Sequence, residues 1–160
     1  MIQIGETIPT ASLKRLTASG IEEVPLRDHI KGKKVILFAV PGAFTPTCSN
    51  IHLPSFVKQA DAIKAKGIDE IICVAVNDPF VLDIWGRVTH VEGKVTLLSD
   101  GNGEFTKEMG MLLDATGHGL GLGSKRYVAV VDNGVLKSLQ VEQDPTACTV
   151  TCADEIVKTL

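Results

Sequence analysis

The sequence VILFAVPGAFTPTCS, residues 35–49, holds the transition that decides the fold. Its first six residues belong to a continuous apolar run, which predicts a buried central strand over Lys33–Val40. A proline and a glycine end that strand. Apolar side chains then recur every two to four residues, which predicts a helix from Ser49 to about Lys66. Cys48 therefore lies between the C-terminal end of a strand and a helix N-terminus, where α/β proteins place their chemistry.

The position predicted for Cys48 suits a charged sulfur. Unpaired backbone N–H groups and the helix dipole favour negative charge at a helix N-terminus, and the thiolate is the reactive form of cysteine. The alternative is a buried structural thiol, since free cysteine is among the most buried residue types. The short, turn-forming, hydroxyl-rich segment Thr45–Ser49 favours the reactive thiol.

The composition indicates a globular protein of ordinary polarity. At 160 residues, with 44% hydrophobic and 22% charged residues, the chain is predicted to form one domain over residues 1–160. A net charge of −3 argues against nucleic-acid binding, and no apolar run approaches the ~18 residues of a membrane span. The first residues show no secretory signal, so we expect a cytoplasmic protein, although a mature organellar protein would look the same.

Four cysteines in 160 residues are far fewer than a disulfide scaffold contains. We therefore expect reduced thiols in cytosol-like surroundings and consider each cysteine for redox or metal chemistry. Structural zinc sites usually draw on pairs of closely spaced cysteines. Only Cys148 and Cys152 have such spacing, and no second pair or nearby histidine completes a site, so no metal is expected.

Strands and helices alternate along the rest of the chain, after short strand-like pieces and turns in residues 1–32. The alternation and the Asn133-Gly134 hairpin signal predict an α/β, thioredoxin-like fold, with a central mixed β-sheet flanked by helices and an N-terminal extension. The predicted strands are Glu70–Asn77, Lys94–Leu98, Tyr127–Val131 and Val135–Val141. The predicted helices run from Asp78 to near His90, over Glu104–Met109 and from near Thr151 to the end of the sequence. Thr151, with Asp154 three residues later, resembles a capping box for the last helix.

The segment PGAFTPTCS, residues 41–49, resembles the active-site signature of the type II peroxiredoxins, the peroxiredoxin-5 subfamily. Four further segments also resemble that family, and they occur in the same order along the chain as in the family: Gly32–Phe38, His52–Pro54, Val76–Phe80 and Ser124–Tyr127. The signature match is long and ungapped, which makes it far more specific than an isolated Thr-x-x-Cys. The resemblance extends over nearly the whole chain, and the first thirty or so residues are its least distinctive part.

The resemblance implies a thiol-dependent peroxidase that reduces hydrogen peroxide and organic hydroperoxides. Cys48 matches the peroxidatic cysteine, whose thiolate attacks the terminal peroxide oxygen and becomes a sulfenic acid. Thr45 matches the residue whose hydroxyl contacts the thiolate and the peroxide. Pro41 matches the proline that shields the pocket from water, and Arg126 matches the arginine that holds the peroxide. The resemblance also implies thioredoxin, or glutaredoxin with glutathione, as the reductant, a homodimer, and no metal or organic cofactor.

Arg126 and Thr45 are residue types that this reaction needs. A cysteine of pKa ~8.5 is a few per cent ionised at neutral pH, so full ionisation accelerates attack by at most roughly thirtyfold. Enzymes reach about 10⁶-fold or more, so most of the acceleration comes from donors that stabilise the charge moving from sulfur to the leaving oxygen. Without the resemblance, Arg126 would be interpreted as a surface charge on an edge strand.

Two cysteines are the main candidates for resolving the sulfenic acid as a disulfide. Cys73 lies mid-strand, where a packed core thiol is the alternative, but the plant-like branch of the family can resolve from this position. Reaching Cys48 from there would require the active-site helix to unwind. Cys152 is predicted in the first turn of the last helix, in the region where the animal-like branch resolves, and Cys148 is a weaker candidate. The sequence also leaves open a one-cysteine enzyme, in which an external thiol reduces the sulfenic acid.

Other features have simpler interpretations. The glycine-rich loop 117–123 precedes a strand rather than a helix, so nucleotide binding is not expected. We expect this loop to let Arg126 approach the pocket or to shape a subunit contact. His52 is expected to make a structural hydrogen bond, and Trp85 and Phe80 to belong to the core or a dimer interface.

Two other functions fit parts of the pattern. A thioredoxin-type thiol–disulfide oxidoreductase needs Cys-x-x-Cys at the helix start, and Ser49–Ile51 offers no partner for Cys48. A non-enzymatic redox sensor, in which oxidation of Cys48 changes partner affinity, is the second alternative. A sensor is oxidised once, whereas a peroxidase consumes peroxide in excess of protein.

Overall fold

Nine strands and five α-helices make up the computed structural model, which describes all of residues 1–160. The strands are β1 (Ser12–Thr17), β2 (Gly20–Pro25), β3 (Lys34–Val40), β4 (Glu70–Ala75), β5 (Thr96–Ser99), β6 (Leu112–Asp114), β7 (Leu122–Ser124), β8 (Tyr127–Asp132) and β9 (Val135–Val141). The helices are α1 (Leu26–His29), α2 (Leu53–Ala65), α3 (Pro79–Val88), α4 (Glu104–Glu108) and α5 (Ala153–Val157). None of the helices has the length and apolar character needed to cross a membrane.

Seven of the strands form one mixed sheet, in the order β2-β1-β5-β4-β3-β8-β9. Strands β3, β4 and β5 are parallel because α2 and α3 cross between them, whereas β8 and β9 form an antiparallel hairpin. That hairpin turns at Asn133 and Gly134, which both have positive φ, as a type I′ turn requires. The predicted thioredoxin-like fold with a central mixed sheet is therefore confirmed, and β3 lies between β4 and β8.

Strand β3 contributes side chains to both faces of the sheet, since successive residues of a strand point in opposite directions. One face contains Val35, Leu37 and Ala39, and the other contains Ile36, Phe38 and Val40. Cys48 belongs to the core on the second face, together with buried side chains of α2, α3 and α5. The candidate site therefore lies on that face of the sheet.

The helix predicted from Ser49 to about Lys66 begins with an irregular turn. Cys48–His52 is π-helical, α2 follows it directly, and Gly67 just beyond α2 has a positive φ of 98°. Pro54, in the first turn of α2, has no N–H, so the preceding turn lacks one α-helical hydrogen bond and widens. Such π-helical turns are frequent at functional sites, and Cys48 is the first residue of this one.

Local sequence signals agree with most other element boundaries. Asp78 caps α3 as predicted, because its carboxylate accepts a hydrogen bond from Val81 N–H at 2.8 Å. Strands β1 and β2 are the strand-like pieces expected within residues 1–32, and β1 extends the sheet beside β5. Strands β6 and β7 pair around the glycine-rich loop and are absent from the prediction, because three-residue strands are too short to show a hydrophobic period.

Candidate active site

Cys48 lies fully buried at the start of the π-helical turn. The segments before and after it are each held by one hydrogen bond. In the loop before the cysteine, Asn77 accepts from Ala43 N–H at 2.9 Å. Directly after the cysteine, the indole N–H of Trp85 in α3 donates to Ser49 Oγ at 3.0 Å. Side chains from elsewhere in the chain therefore fix the loop backbone before Cys48 and the Ser49 side chain after it.

Arg126 is buried beside Cys48, with 1% of its surface exposed, so its interpretation as a surface charge is wrong. It directly precedes β8, and each nitrogen of its guanidinium has a partner. Nη2 donates to Cys48 Sγ at 3.1 Å, Nη1 contacts His52 Nδ1 at 2.8 Å, and Nε donates to the Pro145 carbonyl at 3.1 Å. A fixed cation therefore faces the sulfur in buried surroundings, where charges interact strongly.

His52 is neutral and held in one tautomer. Burial, together with the neighbouring charge of Arg126, lowers the pKa of His52 to about 3. A guanidinium only donates and a carbonyl only accepts, so Nδ1 accepts from Arg126 while Nε2–H donates to the Thr151 carbonyl at 3.0 Å. The expected structural hydrogen bond is confirmed. Because Arg126 already engages the lone pair of Nδ1, His52 has no free nitrogen with which to act as a base.

Thr45 and Pro41 lie in the loop before Cys48, and both are half-buried. The Thr45 hydroxyl donates to the Gly42 carbonyl at 2.6 Å, so its proton is engaged and its oxygen remains an acceptor. Phe44, between the two residues, has a positive φ of 64°, which is uncommon for a bulky side chain.

A family profile described as Redoxin matches residues 3–157. The chloroplastic peroxiredoxin-2E of Arabidopsis thaliana is 44% identical to this chain, and the alignment covers 99% of the chain and 69% of the relative. The chain is a peroxiredoxin of the redoxin family. Peroxiredoxin-2D of the same plant is 41% identical, with 99% and 98% covered. The structure of reduced Prx3 from Vibrio vulnificus in complex with H2O2 superposes with a TM-score of 0.93, at 45% identity and with 99% and 96% covered.

The match to peroxiredoxins at 41–45% identity over the whole chain shows that this protein is a thiol-dependent peroxidase, which is an oxidoreductase. The predicted enzyme class is therefore confirmed. The fold brings the four predicted site residues of this peroxiredoxin into one region. Arg126 contacts Cys48 directly, whereas Thr45 and Pro41 belong to the loop that precedes it.

One glycine of the glycine-rich loop, Gly123, packs against the loop that leads to Cys48. A Cβ atom at this position would lie 2.7 Å from the Pro41 carbonyl oxygen, closer than side chains approach in real structures. The peroxiredoxin therefore needs a residue without a side chain where β7 meets Pro41. The sequence signals an unusual density of glycines here, but it does not reveal which of them has a close neighbour.

Gly123→Ala is expected to slow peroxide reduction roughly tenfold, because the new methyl group displaces Pro41 and with it the loop before Cys48. The second-order rate constant with hydrogen peroxide measures the effect. Gly117→Ala is the matched control, since a Cβ there meets no atom within 4 Å. Equal rate constants for the two variants would contradict the role given to Gly123.

The three remaining cysteines occupy two environments. Cys73 is a free thiol buried in β4; burial raises the pKa of Cys73, and the nearby Cys48 raises it further. Cys148 and Cys152 form a disulfide with their Cα atoms 5.4 Å apart, so the expectation of reduced thiols is wrong for this pair. Cys152 directly precedes α5 instead of lying in its first turn. Neither predicted resolving cysteine therefore offers an exposed free thiol in this structure.

Glu142 is a buried carboxylate that sequence reasoning missed. It follows β9 and accepts hydrogen bonds from the backbone N–H and the hydroxyl of both Thr149 and Thr151, at 2.6–3.0 Å. Burial opposes ionisation of Glu142, but these hydrogen bonds outweigh burial and lower its pKa. Because the Thr151 hydroxyl donates to Glu142, the predicted capping box with Asp154 is wrong. A single acidic residue after an apolar strand is too common in sequences to indicate such a role.

Proposed function

We propose that this peroxiredoxin belongs to the type II branch and reduces hydroperoxides at Cys48, with residues 1–160 acting as one domain. The names of its relatives, peroxiredoxin-2E and peroxiredoxin-2D, support the branch. The observation that carries the proposed site is the contact of Arg126 Nη2 with Cys48 Sγ at 3.1 Å. A buried guanidinium at this distance can donate both to the sulfur and to a peroxide oxygen beside it, the atoms between which charge moves.

In the proposed reaction the Cys48 thiolate attacks the terminal oxygen of a hydroperoxide, ROOH. An S–O bond forms as the O–O bond breaks, and the electron pair that sulfur supplies reduces the peroxide. The RO⁻ group leaves and takes a proton from solvent, giving an alcohol, or water when R is hydrogen. Arg126 donates to the oxygens that gain charge, Thr45 accepts the O–H of the attacked oxygen, and Pro41 shields the pocket from water.

An external thiol completes the proposed cycle. Cys73, the other free cysteine, is buried in β4, and Cys152 is bonded to Cys148, so neither offers a free exposed thiol to Cys48. A first thiol displaces water from the sulfenic acid and forms a mixed disulfide, and a second thiolate then releases Cys48 and leaves the reductant as a disulfide. Thioredoxin, or glutaredoxin with glutathione, is the proposed reductant. The cytoplasm, which keeps thioredoxin and glutathione reduced, is the proposed compartment, and there the Cys148–Cys152 disulfide would be an exception to the usual reduced thiols.

A homodimer is the proposed assembly. Phe80 and Ile84, one turn apart on α3, are 56% and 48% exposed, and Phe44 of the active-site loop is 53% exposed. The Phe44 ring lies 6.5 Å from that of Trp85, which belongs to the same helix. These apolar side chains form a patch beside the site, and a second copy of the chain would remove it from water.

Peroxide consumption by the reduced protein tests the function. In the presence of thioredoxin, thioredoxin reductase and NADPH, we expect each chain to consume many equivalents of hydrogen peroxide. The same assay with glutaredoxin and glutathione identifies the preferred reductant. Consumption that stops after one equivalent would favour the redox sensor and contradict the proposed cycle.

Intact mass after one equivalent of hydrogen peroxide tests the resolution step. We expect peptide mapping to locate one added oxygen at Cys48, and native mass spectrometry of the same sample to give twice the chain mass. A peptide that joins Cys48 to Cys73 or to Cys152 through a disulfide would contradict the external thiol. An unchanged mass would contradict the reactivity of Cys48.

A further inference from the structure

Four residues form a closed ring of hydrogen bonds behind Cys48. Arg126 Nη1 donates to His52 Nδ1 at 2.8 Å, and His52 Nε2–H donates to the Thr151 carbonyl at 3.0 Å. The backbone N–H and the hydroxyl of Thr151 each donate to Glu142 Oε1 at 3.0 Å. The backbone N–H of Glu142 donates to the Arg126 carbonyl at 2.9 Å and closes the ring.

The Thr151 carbonyl belongs to a short loop that the Cys148–Cys152 disulfide closes. Inside this loop the Glu142 carboxylate accepts four hydrogen bonds, two from Thr151 and two from Thr149 at 2.6 and 2.8 Å. Carboxylate oxygens only accept, so all four bonds run from the loop toward Glu142. The position of the Thr151 carbonyl therefore depends on Glu142.

That carbonyl decides which nitrogen of His52 carries the proton. While the Thr151 carbonyl accepts from Nε2–H, Nδ1 stays unprotonated and can accept from Arg126. If the carbonyl moved away, the ring could carry its proton on Nδ1 instead. Two donors would then face each other, and the guanidinium would leave its position against Cys48.

We propose that Glu142 is a positioning residue for peroxide reduction. Glu142 holds the Thr151 carbonyl in place, and that carbonyl fixes the tautomer of His52. His52 in this tautomer keeps the Arg126 guanidinium against Cys48. Glu142 itself touches neither the sulfur nor the peroxide. The inference rests on the proposed role of Cys48 and adds a requirement for acceptor oxygens at residue 142.

Two substitutions of Glu142 distinguish a positioning role in the reaction from the purely structural role of a buried polar side chain. Glu142→Val removes every acceptor, and we expect it to lower the second-order rate constant with hydrogen peroxide about 10- to 100-fold. Glu142→Gln keeps one acceptor oxygen, and Oε1 receives three of the four hydrogen bonds. We therefore expect the glutamine variant to remain within about threefold of the wild type.

Asp114→Val is the matched control. The Asp114 carboxylate likewise accepts from the backbone N–H and the hydroxyl of one threonine, Thr116, but it has no bond to Arg126, His52 or Thr151. We expect its rate constant to stay within about twofold of the wild type. Equal losses in Asp114→Val and Glu142→Val would mean that the effect does not depend on the hydrogen bonds to Thr151, which would overturn the proposal.

Nitrogen-15 NMR of histidine-labelled protein reports the tautomer directly. The chain has four histidines, and His52→Asn assigns the signal of His52. In the wild type and in Glu142→Gln we expect a neutral ring protonated on Nε2, and in Glu142→Val a mixture of tautomers. An unchanged tautomer in Glu142→Val would overturn the proposal even if the rate constant fell.

Two further measurements keep the outcome unambiguous. If circular dichroism shows that Glu142→Val is unfolded, the double variant Thr149→Val/Thr151→Val removes only two hydroxyl donors and is expected to lose roughly threefold in rate constant. A double variant with the rate constant and tautomer of the wild type would then overturn the proposal. Wild-type protein that failed to reduce peroxide would instead refute the proposed function itself.

Discussion

Cys48→Ser is expected to abolish peroxide turnover, with a loss on the order of 10⁵-fold or more. Sulfur supplies the electron pair that breaks the O–O bond, and a serine oxygen, which is protonated at neutral pH, cannot replace it. The coupled assay with NADPH, thioredoxin and thioredoxin reductase measures the loss. Turnover by the serine variant above the rate without protein would contradict the assignment of Cys48.

Cys73→Val provides the control for that result. Valine resembles cysteine in volume and keeps this β4 position apolar, so the fold is expected to persist. Because Cys73 is buried and an external thiol is the proposed reductant, we expect the valine variant to keep turnover within about threefold of the wild type. A loss as large as that of Cys48→Ser would identify Cys73 as a participant and contradict the one-cysteine cycle.

Arg126→Met is expected to lower the second-order rate constant with hydrogen peroxide by 10²- to 10³-fold, or roughly 2.7–4 kcal/mol of transition-state stabilisation. Methionine fills much of the same buried volume but donates no hydrogen bond to Cys48 Sγ or to a peroxide oxygen. It also leaves His52 Nδ1 without a donor. The initial rate at low peroxide concentration measures the effect, with circular dichroism as a check on folding.

Two companion variants define what Arg126 contributes. Arg126→Lys keeps the charge but not the planar fork that reaches three partners, so we expect a loss of roughly tenfold. Arg87→Met is the control, because that guanidinium is 72% exposed and pairs with Asp83 on the surface of α3. A full rate constant in Arg126→Lys would mean that charge alone suffices, and a full rate constant in Arg126→Met would refute the proposed role.

Local sequence patterns, which involve only a few neighbouring residues, predicted the strands and helices well. The apolar run over Lys33–Val40 corresponds to β3 with one residue fewer at its start. Asp78 and Pro79 begin α3 as its cap and first residue. Each of these signals depends on neighbours in the chain, so a single sequence contains it. Pro54, early in the predicted helix, indicates a disturbance of its first turns, but a single proline does not specify that the turn at Cys48 becomes π-helical.

The contacts that build the site join distant parts of the chain. Arg126 and Cys48 are 78 positions apart, and His52 and Thr151 are 99 apart. The family resemblance supplied the first pair, whereas no local pattern indicates the second or the role of Glu142. The Cys148–Cys152 bond was missed for a similar reason: two cysteines four positions apart are compatible with free thiols, a metal or a disulfide, and the path of the loop decides among them.

Trp85 is the only tryptophan of the chain, it is fully buried, and its indole donates to the residue that follows Cys48. The emission of a buried indole responds to the polarity and hydrogen bonding of its immediate surroundings. Oxidation of Cys48, or a rearrangement of the π-helical turn, alters both. The molecule therefore contains a built-in optical reporter, and stopped-flow fluorescence can follow peroxide attack in real time without a dye or an auxiliary enzyme.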